Sequence, residues 1–437
     1  MNAPQVKAPL QTLDWLVAVL LLGYVALGRS FAHVGISPIY VGEVALVTFT
    51  VSRSQPILAR WLTALRYTQP LTPFAWFLYL SLAYGALQCF RGVIIGHDRL
   101  VALQNTVFHV YPLFLFPGVW VVHRHPSFLP AMAVCLGWCH GIYGVLYLTV
   151  FAHLGLGVDP LDPSQFAWFS TPDNAPLALL AILCFEPRWR RAWLPMLLNL
   201  AVLFGMQARS ELLSLAICLP VWSCLAGRCD VLVKLLAALT ATLLVALITG
   251  LSIPSPATRG GEISAQQVAS RLVATLDASL ARQIDPEADE LHASTVSWRT
   301  GWWSEIWRMV HETPLQAVFG PGYGYPIGDL HPDDVSAKRL RTPHNAFMHA
   351  LGYTGWAGVA VFAGLQFSLA CLLWRSYRLT GQAFGICVWL LVIIRSNFDI
   401  FFESPYFAIP FYLLAGLAAG SGAVADSNSP SPAAIAP

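Results

Sequence analysis

The chain has 437 residues, of which 25 are Lys or Arg and 23 are Asp or Glu. At 11 % charged and 56 % hydrophobic it lacks the surface of a water-soluble globular domain, where about a quarter of residues are charged. A net charge of +2 leaves no basic footprint for nucleic acid. The charge is also uneven: residues 252–343 hold 8 basic and 11 acidic side chains in 92 positions, against 29 charged residues in the other 345. This composition predicts a membrane protein interrupted by one water-facing segment.

Apolar runs suited to cross about 30 Å of hydrocarbon at 1.5 Å per helical residue occur at 12–29, 37–53, 73–95, 104–122, 129–151, 173–186, 193–208, 210–226, 231–251, 345–374, 382–395 and 402–419. The expectation is an all-α polytopic membrane protein with about twelve transmembrane helices. The weakest segments are 173–186 and 193–208, which are short and carry Pro176 and Pro195 near their starts. The first run does not read as a cleavable signal peptide, because only Lys7 precedes it and no small-residue cleavage site follows. All nine cysteines lie in or beside apolar runs, so a disulfide framework in the polar segment is excluded. Cys135 and Cys139, followed by His140, fit a buried helix face better than a metal site. No metal or cofactor is expected.

Sorting Lys and Arg by loop sets the orientation, since retained cytoplasmic loops are enriched in them. One side collects twelve, including Arg53, Arg124, Arg188, Arg190, Arg191 and Arg375; the short loops of the other side hold five, Arg29, Arg91, Arg99, Arg209 and Arg395. Both termini are therefore expected in the cytoplasm and the long segment outside. Four regions result: an N-terminal transmembrane bundle of about nine helices over 1–251, an outer loop over 252–343, about three transmembrane helices over 344–420, and a disordered cytoplasmic tail over 421–437. Within the loop, Ile263, Val268, Leu272, Leu276 and Leu280 predict a helical stripe over 262–283. The Trp-rich stretch 298–311 is amphipathic and is expected to lie at a membrane interface. A Gly-Pro-rich turn, FGPGYGYPIG, follows at 319–328.

The polar loop ends at RTPHNAFMHALGYTGWAGVAVF, residues 341–362. Pro343 favours an extended residue before it, and Asn345 is placed to open a long helix. On a helical projection His344, Gly355 and Gly358 share one face, with the glycines admitting a close neighbour, while His349 is rotated about 140° away and is the poorer catalytic candidate. On the same outer side, Arg209 interrupts two apolar runs (FGMQARSELLSL), and Arg299 and Arg308 lie on the Trp-rich stretch. A guanidinium beside hydrocarbon needs an anion, and a diphosphate matches its planar fork. Glu211, Glu305 or Asp399 could supply that anion instead. Arg341, Arg271 and Arg282 are further candidates for substrate contacts.

His-Asn-x9-Gly-x-x-Gly at 344–358 resembles the signature of the bacterial O-antigen ligase and polymerase superfamily. QARSELL at 207–213 is similar to that family's Arg-Ser helix start, and Arg299, Trp302, Trp303 and PLQAVFGPGYG at 314–324 are similar to its Arg, Trp and Gly-rich pattern. RSNFDIFFESPYFAIPFYLLAGL at the C-terminal end also looks familial. The resemblance implies a membrane glycosyltransferase (GT-C-like) fold in the bacterial inner membrane, with its active site on the periplasmic side. It implies inverting, metal-independent transfer of a glycan from undecaprenyl diphosphate, with Arg209 and Arg299 on the diphosphate and His344 as catalytic base. The acceptor is lipid A-core in a ligase, another lipid-linked glycan in a polymerase, or a protein in an oligosaccharyltransferase. A lipid-linked sugar flippase is disfavoured, because transporters place polar residues near the midplane whereas the charges here collect on the outer side.

Overall fold

The computed structural model describes residues 10–36, 39–53, 72–154, 169–186, 189–206, 208–250, 252–254, 262–273, 278–330 and 342–427. Its apolar runs form helices, because a backbone in hydrocarbon must satisfy its polar groups within its own segment. The first run is divided into α1 (Thr12–Leu22), a π-helical turn (Gly23–Leu27) and α2 (Gly28–Ala32). Gly28, at φ 54°, interrupts the ladder, and Ser170 repairs it by donating to Leu27 O and accepting from Ser30 N. A short hairpin, β1 (Gly35–Ile36) with β2 (Ile39–Tyr40), leads to α3 (Val41–Ser52).

Thr72 caps α4 (Pro73–Ile95), and Asp98 caps α5 (Arg99–Val110) by accepting from Leu100 N and Val101 N. A 3-10 turn (Tyr111–Phe114) containing Pro112 joins α5 to α6 (Leu115–Arg124). Then come α7 (Phe128–Thr149), α8 (Ala175–Phe185), α9 (Trp189–Met206), α10 (Arg209–Leu225) and α11 (Cys229–Thr249). His140 of α7 has both nitrogens engaged: Nδ1 lies 2.7 Å from Asn199 Oδ1, and Nε2 accepts from Asn174 N at 3.3 Å. Among the described residues no group of three or more His, Cys, Asp or Glu is arranged to hold a metal ion.

In the polar segment β3 (Ser252–Pro254) pairs antiparallel with β4 (Glu262–Ser264), so the fold carries two small hairpins beside its helices. After them come α12 (Ala265–Val273), α13 (Ala278–Ile284), α14 (Pro286–Val310) and α15 (Pro314–Phe319). The expected stripe over 262–283 is thus divided: Ile263 lies on β4, Val268 and Leu272 on α12, Leu280 on α13, and Leu276 outside the described residues. The Trp-rich stretch also differs from the interfacial expectation. Trp302, Ile306, Met309 and Val310 turn inward into a small core with Tyr323, Ile327 and Tyr353, and Trp302 Nε1 donates to Ile327 O at 3.0 Å. Of that stretch, Trp307 is the large apolar side chain left exposed.

The last three helices are α16 (Ala346–Thr380), α17 (Phe384–Arg395) and α18 (Pro405–Ser427). α18 is the most buried of the long apolar helices and packs most extensively on α6. Glycines permit that approach: a Cβ at Gly416 would lie 2.1 Å from Leu115 O. α18 runs past Ser421, where a disordered tail was expected to begin; residues 428–437 lie outside the described residues.

Among the described residues seven helical segments are long and apolar enough to cross a bilayer: Thr12–Ala32, Pro73–Ile95, Arg99–Arg124, Phe128–His153, Cys229–Thr249, Ala346–Thr380 and Pro405–Asp426. Four shorter apolar helices accompany them, Val41–Ser52, Ala175–Phe185, Arg191–Met206 and Phe384–Arg395. The molecule is a multi-pass helical membrane protein, and those seven are the long spans of the twelve expected segments.

Candidate active site

The site is built at the start of α16. Asn345 caps that helix, its Oδ1 accepting from Phe347 N at 2.9 Å and Met348 N at 3.0 Å. Its Nδ2 donates to Asn397 O at 3.1 Å, and Ala346 N donates to Ser396 O at 2.8 Å. These bonds stitch the 396–404 loop, which joins α17 to α18, onto the helix start. From the other side Trp303 Nε1 donates to Pro343 O at 2.7 Å. Held between them, His344 adopts φ 52°, a left-handed conformation that few residues other than glycine accept.

That geometry corrects the helical projection. His344 precedes the helix, and Gly355 (φ 65°, ψ −168°) breaks it, so His344, Gly355 and Gly358 do not lie on one continuous helical face. The glycines serve other neighbours. A Cβ at Gly355 would lie 2.5 Å from Val318 O and 2.6 Å from Gly320 N, so the break admits the end of α15 and the glycine-rich turn. At Gly358 a Cβ would collide with Thr354 Oγ1 and approach Tyr84. The turn itself has Gly320, Gly322 and Gly324 at φ 66°, 98° and 83°, which bury Tyr323 against Gly92 of α4.

The His344 ring faces a carboxylate. Nδ1 lies 3.7 Å from Asp399 Oδ1, and Trp298 of α14 stands edge-on to the imidazole at 5.8 Å. Burial pushes the Asp399 carboxyl up, but the nearby imidazole and the Arg395 guanidinium outweigh it and hold the group below its ordinary value. Arg299 approaches the same carboxylate. Its guanidinium lies 5.2 Å from the Trp298 ring centroid, and its buried Nε has no hydrogen-bond partner among the described residues. Burial lowers the Arg299 pKa, and the charge of Asp399 opposes that shift. His344, Asp399 and Arg299 therefore form one cluster of titratable side chains at the start of α16.

Arg209 opens α10 and is half-buried. Two residues on, Glu211 accepts from Arg395 at 3.2 Å, although the sequence offered Glu211 as a partner for Arg209 and counted Arg395 among the arginines of the outer short loops. Both partners of the Glu211–Arg395 pair are 1 % exposed. Arg395 also donates to Asp173 O at 2.7 Å and lies over the Phe401 and Phe407 rings. Because Arg395 directly precedes the loop that carries Asp399, the pair couples the Arg209 helix start to the His344 site.

The other arginines divide. Arg308 is exposed on α14 and bound to Glu305 at 2.9 Å and Glu312 at 3.4 Å, so its charge is committed to a surface network. Arg282 is exposed on α13. Arg271 lies on α12 with its side chain outside the described set, and Arg341 lies outside the described residues. Asp399 is the member that sequence reading missed as part of the site. It is 55 positions from His344, inside the RSNFDIFFESPYF stretch that looks familial but names no role for it, and the backbone bonds to Ser396 and Asn397 bring it there.

A family model described as O-antigen ligase matches residues 194–363, which include Arg209, Arg299 and His344. Over that segment the chain is similar to the O-antigen ligase family. No curated protein matches the chain. The ligase-family segment ends before Arg395 and Asp399, so the loop that completes the His344 pair lies beyond the matched residues.

Proposed function

We propose that this protein is an O-antigen ligase that transfers a glycan from undecaprenyl diphosphate to a hydroxyl of lipid A-core at the periplasmic face of the bacterial inner membrane. The observation that carries the reading is the pairing of His344 with Asp399 beside Arg299, in a segment matching the ligase family. With Nδ1 directed at Asp399, Nε2 is the nitrogen left to accept a proton, and the carboxylate stabilises the imidazolium that forms.

In the proposed step the acceptor hydroxyl oxygen attacks the anomeric carbon of the donor sugar while His344 takes its proton. The bond from that carbon to the diphosphate oxygen breaks, and undecaprenyl diphosphate leaves with the electron pair. Attack opposite the leaving group inverts the anomeric centre. Arg299, whose Nε has no hydrogen-bond partner among the described residues, and Arg209 at the α10 start bind the diphosphate and offset its developing charge. The Lys and Arg distribution supports this outer placement, with both termini in the cytoplasm.

The decisive measurement is transfer by purified protein from a lipid-linked donor to two acceptors, lipid A-core and a second lipid-linked glycan. Glycan on lipid A-core supports the ligase reading. A product extended on undecaprenyl diphosphate would replace it with a polymerase, and no transfer to either acceptor would turn attention to protein acceptors.

A further inference from the structure

Four residues beyond Asp399 the same loop carries a second carboxyl group, and it faces a second histidine of α16. Glu403 Oε1 lies 3.5 Å from His349 Nδ1, the side chains being 6 % and 1 % exposed. The 396–404 loop and the start of α16 thus make two histidine–carboxyl pairs, in opposite surroundings. Asp399 is half-buried with the charges of Arg299 and Arg395 in reach. Around Glu403 and His349 among the described residues stand Phe108 and His109 of α5, Tyr353 of α16, Tyr323 of the glycine-rich turn, and Asp399 on the loop itself.

Of these, His109 and Tyr323 are engaged with each other: His109 Nε2 and Tyr323 OH are 2.7 Å apart, and His109 Nδ1 lies 2.8 Å from Ser81 Oγ. Neither ring nitrogen of His349 and neither carboxyl oxygen of Glu403 has a hydrogen-bond partner among the described residues. A carboxylate in that position is costly, whereas a neutral acid has a proton to give and an imidazole nitrogen directly opposite. We propose that Glu403 is a positioning residue of the transfer site, its neutral acid donating a hydrogen bond to His349 Nδ1 and so locking the loop that presents Asp399 to His344. The inference rests on reading His344 and Asp399 as the proton-accepting pair.

Burial, reinforced by the charge of Asp399 against the pull of neighbouring backbone amides, raises the Glu403 carboxyl to about 8. The lock is closed below that value and opens as pH rises through it, when a second negative charge appears on the loop. Two carboxyl groups four residues apart are held in different protonation states by their environments, one as anion and one as acid.

The test uses full-length protein in lipid nanodiscs, with transfer followed across neutral and alkaline pH. The wild type is expected to lose kcat with a midpoint near 8 while donor KM changes little. Glu403→Gln, whose amide donates the same bond without titrating, should retain most of the neutral activity and lose the alkaline decline. Glu403→Ala should drop kcat at least about tenfold at neutral pH. An alkaline decline unchanged in Glu403→Gln, or a Gln variant as impaired as the Ala variant, overturns the proposal. If Glu403→Ala does not fold, the Gln comparison decides alone. Infrared spectroscopy gives a readout independent of catalysis: a protonated-carboxyl band at neutral pH in the wild type that Glu403→Gln removes. Absence of that band sinks the lock whatever the activity, whereas undiminished transfer by His344→Ala sinks the catalytic reading and leaves the band to judge Glu403.

Discussion

His344 occupies a backbone region that costs a non-glycine residue of order 1–3 kcal/mol and persists only where its surroundings impose it. The imposing contacts are Trp303 to Pro343 O on one side and the Asn345 and Ala346 bonds to the 396–404 loop on the other. The side chain is thereby aimed at Asp399 by backbone constraint. His344→Ala is expected to lower transfer by about two to four orders of magnitude, the usual share of a general base, in a donor-to-acceptor assay with unchanged detergent stability. Asp399 makes a stability prediction with a definite sign. Its depressed folded pKa stabilises the protein above the ordinary aspartate value of about 3.9, and that contribution is lost as pH falls through the folded value. Thermal melts should therefore decline more steeply on acidification in the wild type than in Asp399→Asn. The buried Glu211–Arg395 pair makes a third. Arg395→Met strands a buried carboxylate and should cost about 3–5 kcal/mol, while joining it to Glu211→Leu should recover much of the loss, as read by melting in detergent.

At the scale of elements, the helices were legible in the sequence because long apolar runs have few alternatives in lipid. Thus 73–95 and 129–151 were placed within a residue or two of Pro73–Ile95 and Phe128–Thr149. The cap at Asn345 was legible as well, since Pro-His-Asn before an apolar run has a local mechanism. What periodicity could not convey was where a helix is broken or which face is inward. Gly355 at φ 65° ends the 100° projection, and Trp302 looks interfacial by composition yet is buried by residues 323, 327 and 353. Ion-pair partners were equally hidden, because Glu211 and Arg395 lie 184 positions apart and Glu211 had a nearer candidate in Arg209. Gly355→Ala tests the break: the added Cβ meets the Val318 carbonyl and the φ is unfavourable, so the melting temperature should fall clearly. An unchanged melt would mean that the α15 contact does not need the glycine.

Over the whole molecule, the polar groups of the proposed site gather at one end of the bundle. His344 precedes α16, Arg209 opens α10, and Arg395 ends α17. At α1, Asp14 is instead buried against His125 at 3.0 Å and Arg124 at 3.6 Å, between α6 and α7. The orientation inferred from Lys and Arg predicts that a reporter inserted at 255–261 is active only outside the cytoplasm and one fused at the C-terminus only inside. The reverse result would invert the proposed topology. One feature of α16 bears on how such a protein lives in membranes of different thickness. An unbroken helix of 35 residues is roughly 52 Å long at 1.5 Å per residue, well beyond a hydrocarbon core of about 30 Å, and such an excess is ordinarily absorbed by tilting. The break at Gly355 divides it into a short piece, 346–354, fastened to the loops, and a long piece, 356–380, of about 37 Å. The long piece is free to change tilt as acyl chains lengthen or shorten while the short piece stays with the loops, so the orientation of His344 is expected to be insulated from the thickness of the bilayer.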